Sequence, residues 1–183
     1  MKTNQLTKLL LCLCITFSFS SFAQLNLPRG SQMSTVSQQI GTTTAYIKYS
    51  RPSVNKREIW GKLVPYGMNN LGFGTAKESP WRAGANENTI IKFTTDVTIN
   101  GKKLKAGKYG FHIIVNPNNA ATLIFSKNYN SWGSYFYNSS EDALRVETTM
   151  KDHSFTEQLT YEFIDITANS AVAALNWEKK QIP

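Results

Sequence analysis

The sequence predicts an all-β domain, an antiparallel sandwich or jelly-roll of about eight strands that carries one long irregular loop. Three observations predict it. Apolar and polar residues alternate with a period of two in segment after segment, and clusters of Asn, Gly, Ser and Asp separate those segments. No stretch after residue 24 sustains the 3.6-residue apolar period of an amphipathic helix.

The chain opens on a different grammar. Lys2 and Lys8 precede the apolar run Leu9 to Phe17, and small residues close the segment at Ser20-Ser21-Phe22-Ala23. That pattern reads as a secretory leader over residues 1–23, followed by one domain over residues 24–183. The apolar run is shorter than the roughly 20 residues a permanent membrane span needs, so no transmembrane anchor is expected. The expected location is extracytoplasmic, in a periplasm or outside the cell. Both cysteines, Cys12 and Cys14, fall in the leader. The exported part therefore has no thiol for a disulfide, a metal or a covalent intermediate.

The strands follow in order. In Thr42–Tyr49, Ala45, Ile47 and Tyr49 share one parity, and in Thr89–Ile99 so do Ile91, Phe93, Val97 and Ile99. Asn100-Gly101 is a strong hairpin signal between Ile99 and Leu104. Lys108–Val115 puts Tyr109, Phe111, Ile113 and Val115 on one face and His112 on the other. Further strands are predicted at Thr122–Ser126, Ala143–Thr149, Leu159–Ile166 and Ala171–Trp177.

The stretch Ser50 to Ala85 is long and irregular, and compact domains seldom carry such loops without a use. In and beside it lie Arg51, Arg57, Trp81, Arg82, Asn86 and Glu87. Guanidinium forks recognise carboxylate or phosphate bidentately, so converging arginines would make an anion pocket, with Arg145 a further candidate. The bland alternative is an internal salt-bridge network that pins the loop. Glu87 is the candidate acid or base and His112 its candidate assistant, although a surface histidine is the default reading for His112. The segment Ser126 to Tyr137, which includes Trp132, is rich in aromatics and amides, a composition that can stack on sugar rings.

The formal net charge is +8, with Lys and Arg scattered rather than clustered, so no nucleic-acid partner is expected. His112 and His153 lie apart and no acidic cluster has metal-site spacing, so no metal or other cofactor is expected. No Gly-x-Ser-x-Gly elbow occurs. The expected partners are a small anion, a glycan or an envelope protein. The leading functional reading is a non-enzymatic binding or assembly module. An envelope hydrolase using Glu87 on an anionic or sugar-containing substrate and a purely structural protein are the alternatives.

Several blocks taken together carry a resemblance. They are Tyr49-Ser50-Arg51-Pro52, Trp60-Gly61 with Leu63-Val64-Pro65-Tyr66, Trp81-Arg82-Ala83-Gly84-Ala85-Asn86-Glu87, Ala106-Gly107-Lys108-Tyr109-Gly110, Ser131-Trp132-Gly133, Glu141 to Val146, and Trp177-Glu178-Lys179. The sequence resembles the bacterial family catalogued as domain of unknown function 2911. The resemblance covers nearly all of the chain after the leader. It implies a single secreted β-rich domain and no catalytic assignment. Met68 to Pro80 departs from shorter members, in which Tyr-Gly runs almost directly into Trp-Arg.

Overall fold

A computed structural model describes residues 27–183; the leader read over residues 1–23 lies outside the described residues. Ten strands follow in the order β1 (Gln32–Ile40), β2 (Thr43–Arg51), β3 (Thr89–Phe93), β4 (Val97–Ile99), β5 (Lys102–Leu104), β6 (Gly107–Val115), β7 (Ala120–Ser126), β8 (Asp142–Thr149), β9 (Lys151–Ile164) and β10 (Val172–Ile182). Six of them form one antiparallel sheet in the order β1-β2-β3-β6-β7-β8. The long β9–β10 hairpin covers one face of that sheet, and β4–β5 is a separate small hairpin. Among the described residues, no helix is long and apolar enough to cross a membrane.

The core is what the strand parity predicts. Ile47, Ile91, Phe111, Ile113, Leu123 and Phe125 point from the sheet into a buried cluster with Leu159, Tyr161, Leu175 and Trp177 of the hairpin. Alternation on a pleated strand puts every second side chain on the same face, so the sheet buries one apolar surface and the hairpin supplies the other. Tyr49 and Tyr161 clamp the two layers, with ring centroids 4.6 Å apart and the Tyr161 amide donating to the Tyr49 hydroxyl at 3.0 Å. Asn100 and Gly101 both have positive φ, 44° and 81°, as a tight type I′ turn requires.

Three expectations are corrected. Strand β1 was not predicted, because its segment is polar. It is an edge strand with mostly exposed side chains, and only Val36 and Ile40 pack on the core. The predicted strand Thr89–Ile99 divides after Phe93, because Asp96 turns away to accept from the Ala106 amide at 2.9 Å and from Lys105 at 2.8 Å. The β9–β10 hairpin also exceeds its predicted strands, since residues 151–158 and 178–182 pair despite being largely polar.

Candidate functional site

Residues 52–88 cross from β2 to β3 with little regular structure, and specific bonds hold them at both ends. Arg51, at the end of β2, donates from Nε to the Leu159 carbonyl at 3.0 Å and from Nη2 to Thr160 Oγ1 at 2.7 Å. Trp81, near the other end, exchanges two backbone hydrogen bonds with Ile113 of β6, of 3.0 and 2.8 Å. Between them the loop packs tryptophan on tryptophan. Trp81 stacks on Trp177 at 5.9 Å with planes 16° apart, and Trp60 meets both edge-on at 5.9 and 6.1 Å. Such geometries suit the aromatic quadrupole. Trp177 is fully buried, and its indole N–H and that of Trp60 have no acceptor among the described residues.

Trp81 and Trp177 of this cluster line a cleft of about 320 Å³ together with Arg57, Arg82, Asn86 and Ser134. Four of the candidate ligand-binding residues thus meet there: Arg57, Trp81, Arg82 and Asn86. Arg82 donates from Nη1 to the Asn86 carbonyl at 2.6 Å, and its guanidinium carbon lies 4.8 Å from the centre of the Tyr135 ring. Its Nε and Nη2 have no acceptor among the described residues. Arg57 uses Nε and Nη2 on the carbonyls of Val54 and Ser53, at 3.1 and 2.5 Å. Asn86 adopts a left-handed conformation, φ 60°, and donates its side-chain amide to the Ser31 carbonyl at 3.2 Å.

The salt-bridge alternative is not what these arginines do. Arg51, Arg57 and Arg82 are absent from the ion pairs among the described residues and donate to carbonyl or hydroxyl oxygens instead. Arg51 belongs to the joint between the layers rather than to the cleft.

Glu87 lies elsewhere. It lines a smaller neighbouring cleft of about 180 Å³ with Lys48, Tyr129 and Ser131, and it pairs with Arg29. That ion pair holds its carboxyl below the ordinary carboxylate range, so it is a carboxylate at neutral pH and a weak base. One of its oxygens, Oε2, is buried without a partner among the described residues.

His112 is on the face opposite the core, as its parity predicts, but it is buried rather than a surface histidine. Residues 127–138 fold over that face and cover it. His112 Nδ1 lies 2.9 Å from Ser134 Oγ, with both side chains buried, and its ring meets Tyr137 edge-on at 5.5 Å. Burial first, and the charge of Arg82 second, push the His112 pKa down to about 3. Tyr137 continues the network by donating to Asp142 Oδ2 at 2.7 Å while accepting from Arg145 Nη2 at 2.6 Å. Arg145 is also paired with Asp142 through Nε at 2.7 Å. It is therefore committed within β8, and burial and Asp142 raise the Tyr137 pKa. Trp132 is half exposed, at 48%, and does not line the Arg82 cleft.

Sequence reasoning missed Ser134 and Trp177. Ser134 lies in the aromatic, amide-rich segment Ser126 to Tyr137, but nothing in that segment singles it out until the covering loop brings it to His112. Trp177 had a signal, since an apolar strand placed it facing inward, but nothing local links it to residues 60 and 81.

Neither the curated proteins nor the solved structures contain a significant match to the chain. Residues 31–183 match the family described as "Protein of unknown function (DUF2911)", a span from the first strand to the last residue. The match takes in both walls of the cleft and the covering loop alike, and the chain belongs to the DUF2911 family.

Proposed function

We propose that this protein is an exported, non-enzymatic binding module that holds a small molecule carrying a carboxylate or phosphate in the Arg82 cleft. The observation that carries the reading is the state of Arg82: it lines a cleft, has no carboxylate partner among the described residues, and commits only Nη1. Free Nε and Nη2 on one guanidinium form a fork suited to two oxygens of an anion. Arg57 adds a second positive charge at the same cleft, and Trp81, Pro80 and Leu63 offer apolar walls to the body of the ligand. The leader grammar of residues 1–23 supports export.

No observation favours the hydrolytic reading. Glu87 is held by Arg29 in another cleft. The Ser134–His112 pair has a nucleophile-to-base distance, but a base with a pKa near 3 is a poor proton acceptor at neutral pH.

Titration calorimetry with phosphate, citrate and glucuronate tests the proposal. At least one is expected to bind the wild-type protein, and Arg82→Gln to weaken it by about tenfold or more, as loss of a charged fork should. The same substitution is expected to cost only about 1 kcal/mol of stability, for one hydrogen bond and one cation–π contact. Absence of binding by all three anions, or unchanged binding by Arg82→Gln, would overturn it.

A further inference from the structure

The two layers of the fold do not close on both sides. On one side β9 is tied to the end of β2 and the loop after it: Arg51 donates to the Leu159 carbonyl, and the Val54 amide to the Glu157 carbonyl at 2.8 Å. On the other side neither β10 nor β8 has a further strand partner among the described residues. The β4–β5 hairpin leans on β8 there, through Asn100 Nδ2 on the Glu147 carbonyl at 3.3 Å and Lys102 Nζ on the Arg145 carbonyl at 3.0 Å. Between that hairpin and β10 a seam opens into a cavity of about 540 Å³. Protein interiors are close-packed, with few voids larger than a water molecule. A space of this size falls instead in the range of pockets that hold small ligands.

The lining has two zones. The half-buried side chains of Ile40, Val97, Ile99, Phe163, Val172 and Ala173 give it an apolar wall, with Phe111 and Leu123 of the packed core behind them. Ordered water needs several polar partners, so this zone suits an apolar body rather than a water cluster. At the rim stand Thr43, Thr98, Asn100, Thr148, Asn169 and Ser170, all neutral; all but Thr98 already make a side-chain hydrogen bond within the protein, and they keep further lone pairs or N–H groups for a ligand. Among the described residues, Lys, Arg and His are missing from the lining, and its one charged side chain, Asp96, is committed to Lys105 and the Ala106 amide. The rim thus has no cation to receive an anionic head group, in contrast to the Arg82 cleft.

We propose that this seam admits one lipid-like molecule, an acyl or alkyl chain ending in an uncharged polar group such as a hydroxyl, ester or amide. The chain lies along the half-buried apolar side chains that wall the seam, and the polar end stays among the rim hydroxyls and amides. The inference is independent of the Arg82 reading, because the two sites differ in lining and in ligand charge.

The test uses N-phenyl-1-naphthylamine, a neutral apolar fluorophore, with 1-dodecanol and laurate as competitors. One probe is expected to bind per chain. Dodecanol is expected to displace it on the order of tenfold better than laurate, since the rim offers laurate no counter-charge. Ala173→Trp and Ile99→Trp, at half-buried positions beside the seam, are each expected to weaken the probe by about tenfold or more by filling the entrance. Arg82→Gln is expected to leave it unchanged. Crystals soaked in 12-bromododecanol give a readout that depends on no variant: bromine density inside the cavity supports the proposal. Lack of saturable binding, bromine only outside the cavity, or full binding by both tryptophan variants overturns it. Displacement by laurate as strong as by dodecanol overturns the neutral head group.

Discussion

His112 Nδ1 rests 2.9 Å from Ser134 Oγ beneath the covering loop, with no route for the imidazole to gain a proton cheaply. The folded state holds its pKa near 3, against about 6.5 in the unfolded chain. Below pH 6.5 the unfolded chain binds a proton that the folded protein refuses, so stability falls as pH falls. The loss should approach about 1.4 kcal/mol per pH unit between 6.5 and 3, or close to 3 kcal/mol by pH 4.5. Urea unfolding across this range measures it. His112→Gln, which titrates in neither state, should flatten the slope, and an unchanged slope would show that other groups set it.

Gly133 has φ 57°, and a Cβ added there would lie 2.3 Å from the Arg82 guanidinium carbon. Gly133→Ala must therefore push the guanidinium off the Tyr135 ring, in addition to a backbone cost of about 1–2 kcal/mol for the left-handed conformation. Anion binding in the Arg82 cleft should be lost. Gly72→Ala imposes the same kind of backbone strain at φ 68° with nothing near the new Cβ, so it should destabilise comparably and bind normally. Calorimetry on the two variants separates displacement of Arg82 from general loosening.

Trp177 fills the middle of the tryptophan cluster, yet its buried indole N–H has no acceptor among the described residues. Trp177→Ala should cost about 3–5 kcal/mol, as emptying a large core site does. Trp177→Phe should cost under about 1.5 kcal/mol, because the lost contact is offset by removing an unpaired donor. Chemical denaturation of both variants is the check. A phenylalanine variant as unstable as the alanine one would mean that the N–H finds a partner in solution.

What the sequence made legible was local. Asn100-Gly101 specifies its turn through two left-handed residues, and the parity of Tyr109 to Val115 sorts Phe111 inward and His112 outward without reference to any other strand. Strand β1 escaped because pairing with β2, rather than apolar content, makes it a strand. The site was legible as composition and illegible as geometry. Arg51 and Arg82 both look like anion ligands, but Arg51 stands at a strand end and reaches a carbonyl 108 residues away. Arg145 is absorbed by Asp142 and Tyr137, a pairing visible only after residues 137–142 turn back on β8. Ser134 meets His112 through the docking of a loop on the outer face of β6, and such docking leaves no periodic trace.

The division of the core between an early sheet and a late hairpin sets the order in which the molecule can be completed. Residues 32–149 contain every strand of the six-stranded sheet, but the surface of Ile47, Phe111 and Leu123 has nothing to rest on until residues 151–182 arrive. A chain delivered N-terminus first, from a ribosome or through a membrane pore, spends that interval as an adhesive half-structure. Whatever receives it must shield this face until Leu175 and Trp177 emerge. A fragment ending at Met150 would aggregate rather than persist as a smaller domain.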